Sequence, residues 1–146
     1  MSYKIVAGHS IGEWVAKKIG GIYSSLESQA MGLERDGKLI AGIIYEDWNG
    51  ASIVCHLAIE GRITREFLRE ISDYAFIQCK VHKVIAPVNS SNAKSEHFIR
   101  NMGFVEEGRL RDAHPQGDVV IYTLTKQDCR FLRERYGEKR TAAAVA

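Results

Sequence analysis

The chain predicts a mixed α/β fold: one mostly antiparallel sheet flanked by helices. Three observations predict it. Two Xaa-Gly pairs, Asp36-Gly37 and Asn49-Gly50, separate strand-like runs at 30–35, 38–46 and 51–59. Such pairs supply the positive φ angles of tight hairpin turns. The third run is nearly all apolar, as a strand covered on both faces requires. After Gly61 the apolar spacing switches to a helical period, with Phe67, Leu68, Ile71, Tyr74 and Ala75 on one side.

The remaining elements follow in order. Residues 4–7 form a short apolar edge strand. Ser10 and Glu13 have the spacing of a capping box, and the helix they open carries Ile11, Trp14, Val15 and Ile19 on one side. Gly20-Gly21 ends it. Residues 22–28 are read as a further helical turn. Residues 83–88 form a short buried strand. Asn92 caps a helix that Gly103 terminates. Residues 104–111 and 119–124 form a last hairpin, and 127–136 is read as a helix. One domain spans 1–136, and 137–146 is expected to be a disordered tail.

Composition sets the class. The chain has 146 residues, 45% apolar and 26% charged, which are globular proportions. No apolar run approaches the ~20 residues that span a bilayer, and the N-terminus lacks a signal-peptide layout. A cytoplasmic location is expected, with no membrane partner. The net charge of +2 is too small to argue for nucleic acid. Arg130, Arg133, Arg135, Lys139 and Arg140 form a basic segment interrupted by Glu134 and Glu138, read as a solvated helix face. Cys55, Cys79 and Cys129 are widely spaced, which fits a reduced compartment. Cys79-x-x-His82 has no partner pair, so no metal is expected.

Asn92-x-x-Ser95, Gly103-Phe104, Glu107-Gly108-Arg109, Gly117-Asp118 and Tyr122-x-Leu124 form a run of motifs. This run resembles the GCN5-related N-acetyltransferases (GNAT). Within that superfamily it looks most like the branch of ribosomal-protein N-terminal acetyltransferases. The resemblance covers about residues 40–126. It implies the acyl-CoA N-acyltransferase fold, with two central strands splaying apart to admit acetyl-CoA as cosubstrate. It also implies direct acetyl transfer to a primary amine in a ternary complex.

The junction Ile59-Glu60-Gly61-Arg62-Ile63-Thr64-Arg65 takes the place of the family's diphosphate loop. Free amides and the positive dipole end at a helix N-terminus attract phosphate oxygens. Ile59, Gly61, Arg62, Ile63, Thr64 and Arg65 are therefore expected cofactor contacts. The family pattern Q/R-x-x-G-x-G/A is abbreviated here to a single glycine. The resemblance adds Asn92 and Ser95 along the pantetheine arm and near the thioester. Phe98 belongs to the core or lines that arm.

Direct transfer needs a free amine. An alkyl ammonium of pKa near 10.4 must lose a proton at pH 7, at a cost of roughly 4.6 kcal/mol. A positioned base accepts it, and an acid meets the leaving thiolate. The tyrosine acid common in the superfamily would fall at Ile99, so it is absent. The ribosomal-protein branch implies Ser95 as acid and Glu107 as base. Glu106 is expected on the other face of the strand. His56, in the central strand, is the rival base, and the alternative for it is a hydrogen-bonded core histidine. Asp112 and His114 are expected to touch the acceptor.

The acceptor stays open between a protein N-terminus and a small molecule. A homodimer on sheet edges or C-terminal elements is compatible with this reading. The competing reading is a catalytically inactive GNAT-fold module that binds CoA or nucleic acid.

Overall fold

The structure, a computed structural model, describes residues 2–24 and 28–136. Its elements are β1 (Tyr3–Ala7), α1 (His9–Ile19), β2 (Gln29–Arg35), β3 (Lys38–Glu46), β4 (Ser52–Ile59), α2 (Arg65–Asp73), β5 (Lys83–Asn89), α3 (Ala93–Met102), β6 (Val105–His114) and β7 (Gly117–Thr125). One seven-stranded sheet has the order β1-β2-β3-β4-β5-β7-β6. Every neighbouring pair is antiparallel except β4 and β5, which are parallel.

Alternation along β4 sorts two cores. His56 and Ala58 stand opposite Ile44 and Gly42, while Cys55 and Leu57 stand opposite Tyr45 and Ile43. The first face takes Ile11, Val15 and Ala16 of α1 against Ala30, Ile44 and Ala58. The second takes Phe67 and Ile71 of α2 and Ile99 and Met102 of α3 against Ile43, Cys55 and Leu57. Thus α1 lies on one face of the sheet, and α2 and α3 lie on the other. β4 is the middle strand of seven, as its apolar run requires.

Asp36 and Gly37 take φ 51° and 82° in the β2–β3 hairpin. Gly20 and Gly103 close α1 and α3 in the left-handed region. Asn92 Oδ1 accepts from the Ser95 amide, giving α3 its cap. The sequence expectation fails in four places. Gly8, not Ser10, is the N-cap of α1, and no side chain caps it. Ser10 therefore sits inside the first turn, and the capping box does not form. Of the turn expected over 22–28, residues 22–24 and 28 are not helical, and 25–27 lie outside the described residues. The β3–β4 connection runs from Asp47 to Ala51, and Asn49 does not take a positive φ. Its Oδ1 instead accepts from the amides of Ala51 and Ser52, an Asx turn in place of the expected two-residue turn.

The fourth failure is residues 127–136. They hold only a 3₁₀ turn at Arg133–Tyr136. Arg133 is buried there, 3% exposed, and its guanidinium is ion-paired with Glu66, Glu70 and Asp73. It is an anchor for the chain end and not part of a solvated face. Lys139, Arg140 and the tail from 137 lie outside the described residues. After α2 the chain widens into a π-helical turn, Tyr74–Gln78, closed by the Cys79 amide on the Tyr74 carbonyl.

Candidate active site

β4 and β5 run side by side for only three residue pairs, Ser52–Lys83 to Val54–Ile85. Beyond Val54 the two strands part. Pro87 in β5 has no amide hydrogen to offer a ladder. A cleft of about 490 Å³ opens where the strands diverge. Cys55, His56 and Leu57 form one wall, and Ala86 to Asn89 the other. Asn92, Ser95 and Ile99 of α3 close one end, and Lys18 and Ile19 of α1 and His114 and Gln116 of the β6–β7 turn frame the mouth.

His56 projects toward the α1 face. Its Nε2 lies 2.7 Å from Glu46 Oε1, at the end of β3. Both side chains are about one-quarter exposed. The register explains the contact: Glu46 faces Val54, so it lies diagonally beside His56 on the same face. Ser28 Oγ lies 3.5 Å from the other carboxylate oxygen. A neutral imidazole that donates from Nε2 keeps its lone pair on Nδ1, and an adjacent carboxylate acceptor favours that tautomer.

Ser95 is half-buried in the first turn of α3 and lines the same cleft. Asn92 lines the same end, but its carbonyl oxygen is committed to capping α3. Ile99 is buried and lines the cleft where the superfamily often has tyrosine. Cys55 lines the cleft too, but burial pushes its thiol up to about 12, so it is a poor nucleophile.

Glu107 is not among the residues that line this cleft. A bulge between Glu106 and Gly108 takes it out of simple alternation. Its Oε1 accepts from Lys83 Nζ at 2.9 Å and Thr123 Oγ1 at 2.7 Å. Those two hydrogen bonds hold its carboxyl below the usual range. Asp112 is exposed outside the cleft, with φ 56°, and its amide donates to Asp118. His114 does line the cleft, and its Nδ1 accepts from the Gln116 amide at 3.1 Å. Phe98 packs against the core and does not line the cleft.

The junction after β4 leads directly into α2. Thr64 Oγ1 accepts from the Phe67 amide at 3.1 Å and caps the helix. Its hydroxyl hydrogen remains available to a ligand. Arg62 and Arg65 are exposed beside this helix start, where the first amides have no intrahelical acceptor. Glu60 does not oppose a phosphate here, because its carboxylate pairs with Lys18 of α1 at 3.1 Å, on the other face of the sheet. Gly61 has a packing reason of its own: a Cβ there would come within 3.1 Å of Ile40.

A parallel pair that opens into a V, with a helix N-terminus at the tip of one arm, identifies the architecture. The fold is that of the GCN5-related N-acetyltransferases. No family model matches the chain, and a search of curated proteins returns no match. Solved structures do match. A chimera of the Vibrio cholerae spermidine N-acetyltransferase SpeG and hSSAT superposes with TM-score 0.68 at 18% identity, covering 87% of this chain and 98% of that one. The Vibrio cholerae spermidine N-acetyltransferase in complex with CoA and spermine gives TM-score 0.67 at 18% identity, covering 86% and 96%. A probable acetyltransferase gives 0.61 at 26% identity, covering 70% of this chain and 63% of that chain.

Within the GNAT fold, sequence reasoning missed Glu46, Lys18 and Asn89. No local motif marks Glu46. It becomes visible only once the β3–β4 register puts it beside His56.

Proposed function

We propose that this chain is an acetyl-CoA-dependent N-acetyltransferase that acts on a primary amine, with His56 as the base and Glu46 as the residue that positions it. One observation carries the reading: the β4–β5 ladder stops at Val54, and the cleft that opens beyond it is lined by both His56 and Ser95. The residues present fit the cosubstrate. Arg62, Thr64 and Arg65 at the start of α2 suit a diphosphate. The main chain of the parted strands suits an amide-bearing arm, because in the parted segment neither strand uses the other as a hydrogen-bond partner. Acetyl-CoA supplies the activated acyl group.

The chain supplies the proton movements. His56 takes a proton from the acceptor ammonium, directly or through one water, and the Glu46 carboxylate stabilises the imidazolium that results. Ser95, which lines the same cleft, donates toward the leaving thiolate. The resemblance to the ribosomal-protein branch supports that role. No acyl-enzyme is needed, and the raised Cys55 thiol agrees with this. A protein N-terminus and a small amine both remain within this class of acceptor. The structural neighbour bound to spermine is a spermidine acetyltransferase, which makes small polyamines the natural first members of a test panel.

The test is acetyl-CoA-dependent thiol release over a panel of amines, with calorimetric binding of acetyl-CoA alongside. Expected are binding and amine-dependent release. Absence of binding at millimolar acetyl-CoA would overturn the reading. Binding without transfer to any amine would leave a coenzyme-binding module in its place.

A further inference from the structure

β6 is the terminal strand of the sheet, so one side of its backbone has no neighbour among the described residues. Such an edge is a template for another strand. The register with β7 sorts its side chains. Val105 and Leu110 stand opposite Thr123 and Val119, and Glu106 and Arg109 stand opposite Tyr122 and Val120. Thr123 and Val119 in turn face Ile85 and Asn89 of β5, and Ile85 faces Val54. Val105 and Leu110 therefore lie on the sheet face that α1 covers farther along. α1 packs mainly on β2, β3 and β4. Val105 and Leu110 are left 58% and 54% exposed.

Around the Glu107–Gly108 peptide the segment Val-Glu-Glu-Gly-Arg-Leu is self-complementary. Three residues before the centre is an apolar residue, and three after it is another, on the same face. Two before is an acid, and two after is a base, together on the opposite face. We propose that β6 joins a second copy of this chain edge to edge, antiparallel about a two-fold axis through that peptide. Val105 of one copy then meets Leu110 of the other, and Glu106 meets Arg109, each contact occurring twice. Cross-strand neighbours in that register lie within side-chain contact distance. A two-fold contact of this kind is closed and stops at the dimer.

Two details favour the arrangement. Glu107, the bulged residue nearest the axis, is turned onto Lys83 and Thr123 of its own chain, which leaves glycine opposite it at the crossing. Arg109 already holds Asp118 at 2.7 Å. Its guanidinium has five donors and also lies 4.0 Å from the Glu106 of its own chain, an exposed contact that the Glu106 of a second copy would replace. The competing reading is that the bulge and charges guard the edge and keep it single. The proposal stands apart from the catalytic reading, because the edge shares no residue with the cleft wall at His56 and Ser95.

The test is sedimentation equilibrium on the whole chain, with circular dichroism and thermal melting as checks of folding. The wild type is expected to dimerise. Glu106→Arg and Arg109→Glu, each alone, are expected to raise the dimer dissociation constant on the order of tenfold or more, since both symmetric pairs become like-charged. Leu110→Lys should do the same by a different route. An equimolar mixture of the two charge variants should regain dimer, because each acid then meets a base again. A wild type that is monomeric at roughly 100 µM, a concentration at which even micromolar association would show, overturns the proposal. So do folded variants that dimerise as well as wild type, or a mixture that stays monomeric.

Discussion

Two charged clusters in this molecule use similar residues to opposite ends. Arg133 is enclosed with Glu70 and Asp73, all at 1–3% exposure, and also reaches Glu66. His56 and Glu46 form a pair with about a quarter of each side chain exposed, and His56 lines the cleft. In the first, a guanidinium that does not titrate locks the chain end onto α2. In the second, an imidazole, a group able to accept or donate a proton, lines an open cleft. Burial depth and the choice of cation separate a structural ion cluster from a chemical one. Carboxylates alone do not.

The largest expected effect is on the sealed cluster. Arg133→Met removes the guanidinium that pairs with the buried Glu70 and Asp73 and should cost about 3–5 kcal/mol of stability. Denaturant unfolding measures it, and a loss below about 1 kcal/mol would show that water reaches the cluster. Next is the open pair. His56→Ala should lower kcat on the order of 100-fold or more with melting temperature little changed. Glu46→Gln, which keeps a hydrogen-bond acceptor and removes the charge, should cost less, roughly tenfold, and flatten or shift the pH–rate profile. Equal kcat for wild type and His56→Ala would return the base role to Glu107.

Glu107→Gln should change kcat by less than about twofold, because its carboxylate is tied to Lys83 and Thr123 outside the cleft. The smallest effect concerns Cys55. Burial raises its folded pKa to about 12. That contribution to stability is full below the unfolded thiol pKa and is lost as pH rises from there toward 12. In the native protein near pH 8 the half-buried Cys79 should react with a thiol reagent, while the buried Cys55 and Cys129 wait for unfolding. Fast labelling of Cys55 would mean the cleft opens to its floor.

Much of the sheet was legible because local chemistry decides it. Asp36-Gly37 could make little else than a tight turn, and the apolar run of β4 could sit only in the middle. Asn92 and Gly103 marked both ends of α3. The site was legible in part. His56, Asn92, Ser95 and His114 come together at the cleft as residues, although Asn92 is spent on a cap. The motif that suggested Glu107 carries no information on the bulge that removes it from simple alternation. Ser10 and Glu13 had the right spacing for a cap, but the helix begins two residues earlier, at His9, with Gly8 as its N-cap.

By itself the sequence determined the periods, the turns, the helix ends and the central place of β4, because each follows from a few neighbouring residues. Only the tertiary structure decided where β4 and β5 part, that Glu46 rather than a motif residue supports His56, and that Arg133 is an anchor. Those depend on which strands lie side by side and how deep a charge is placed. Both are set by contacts between residues far apart in the chain, which no local spacing records.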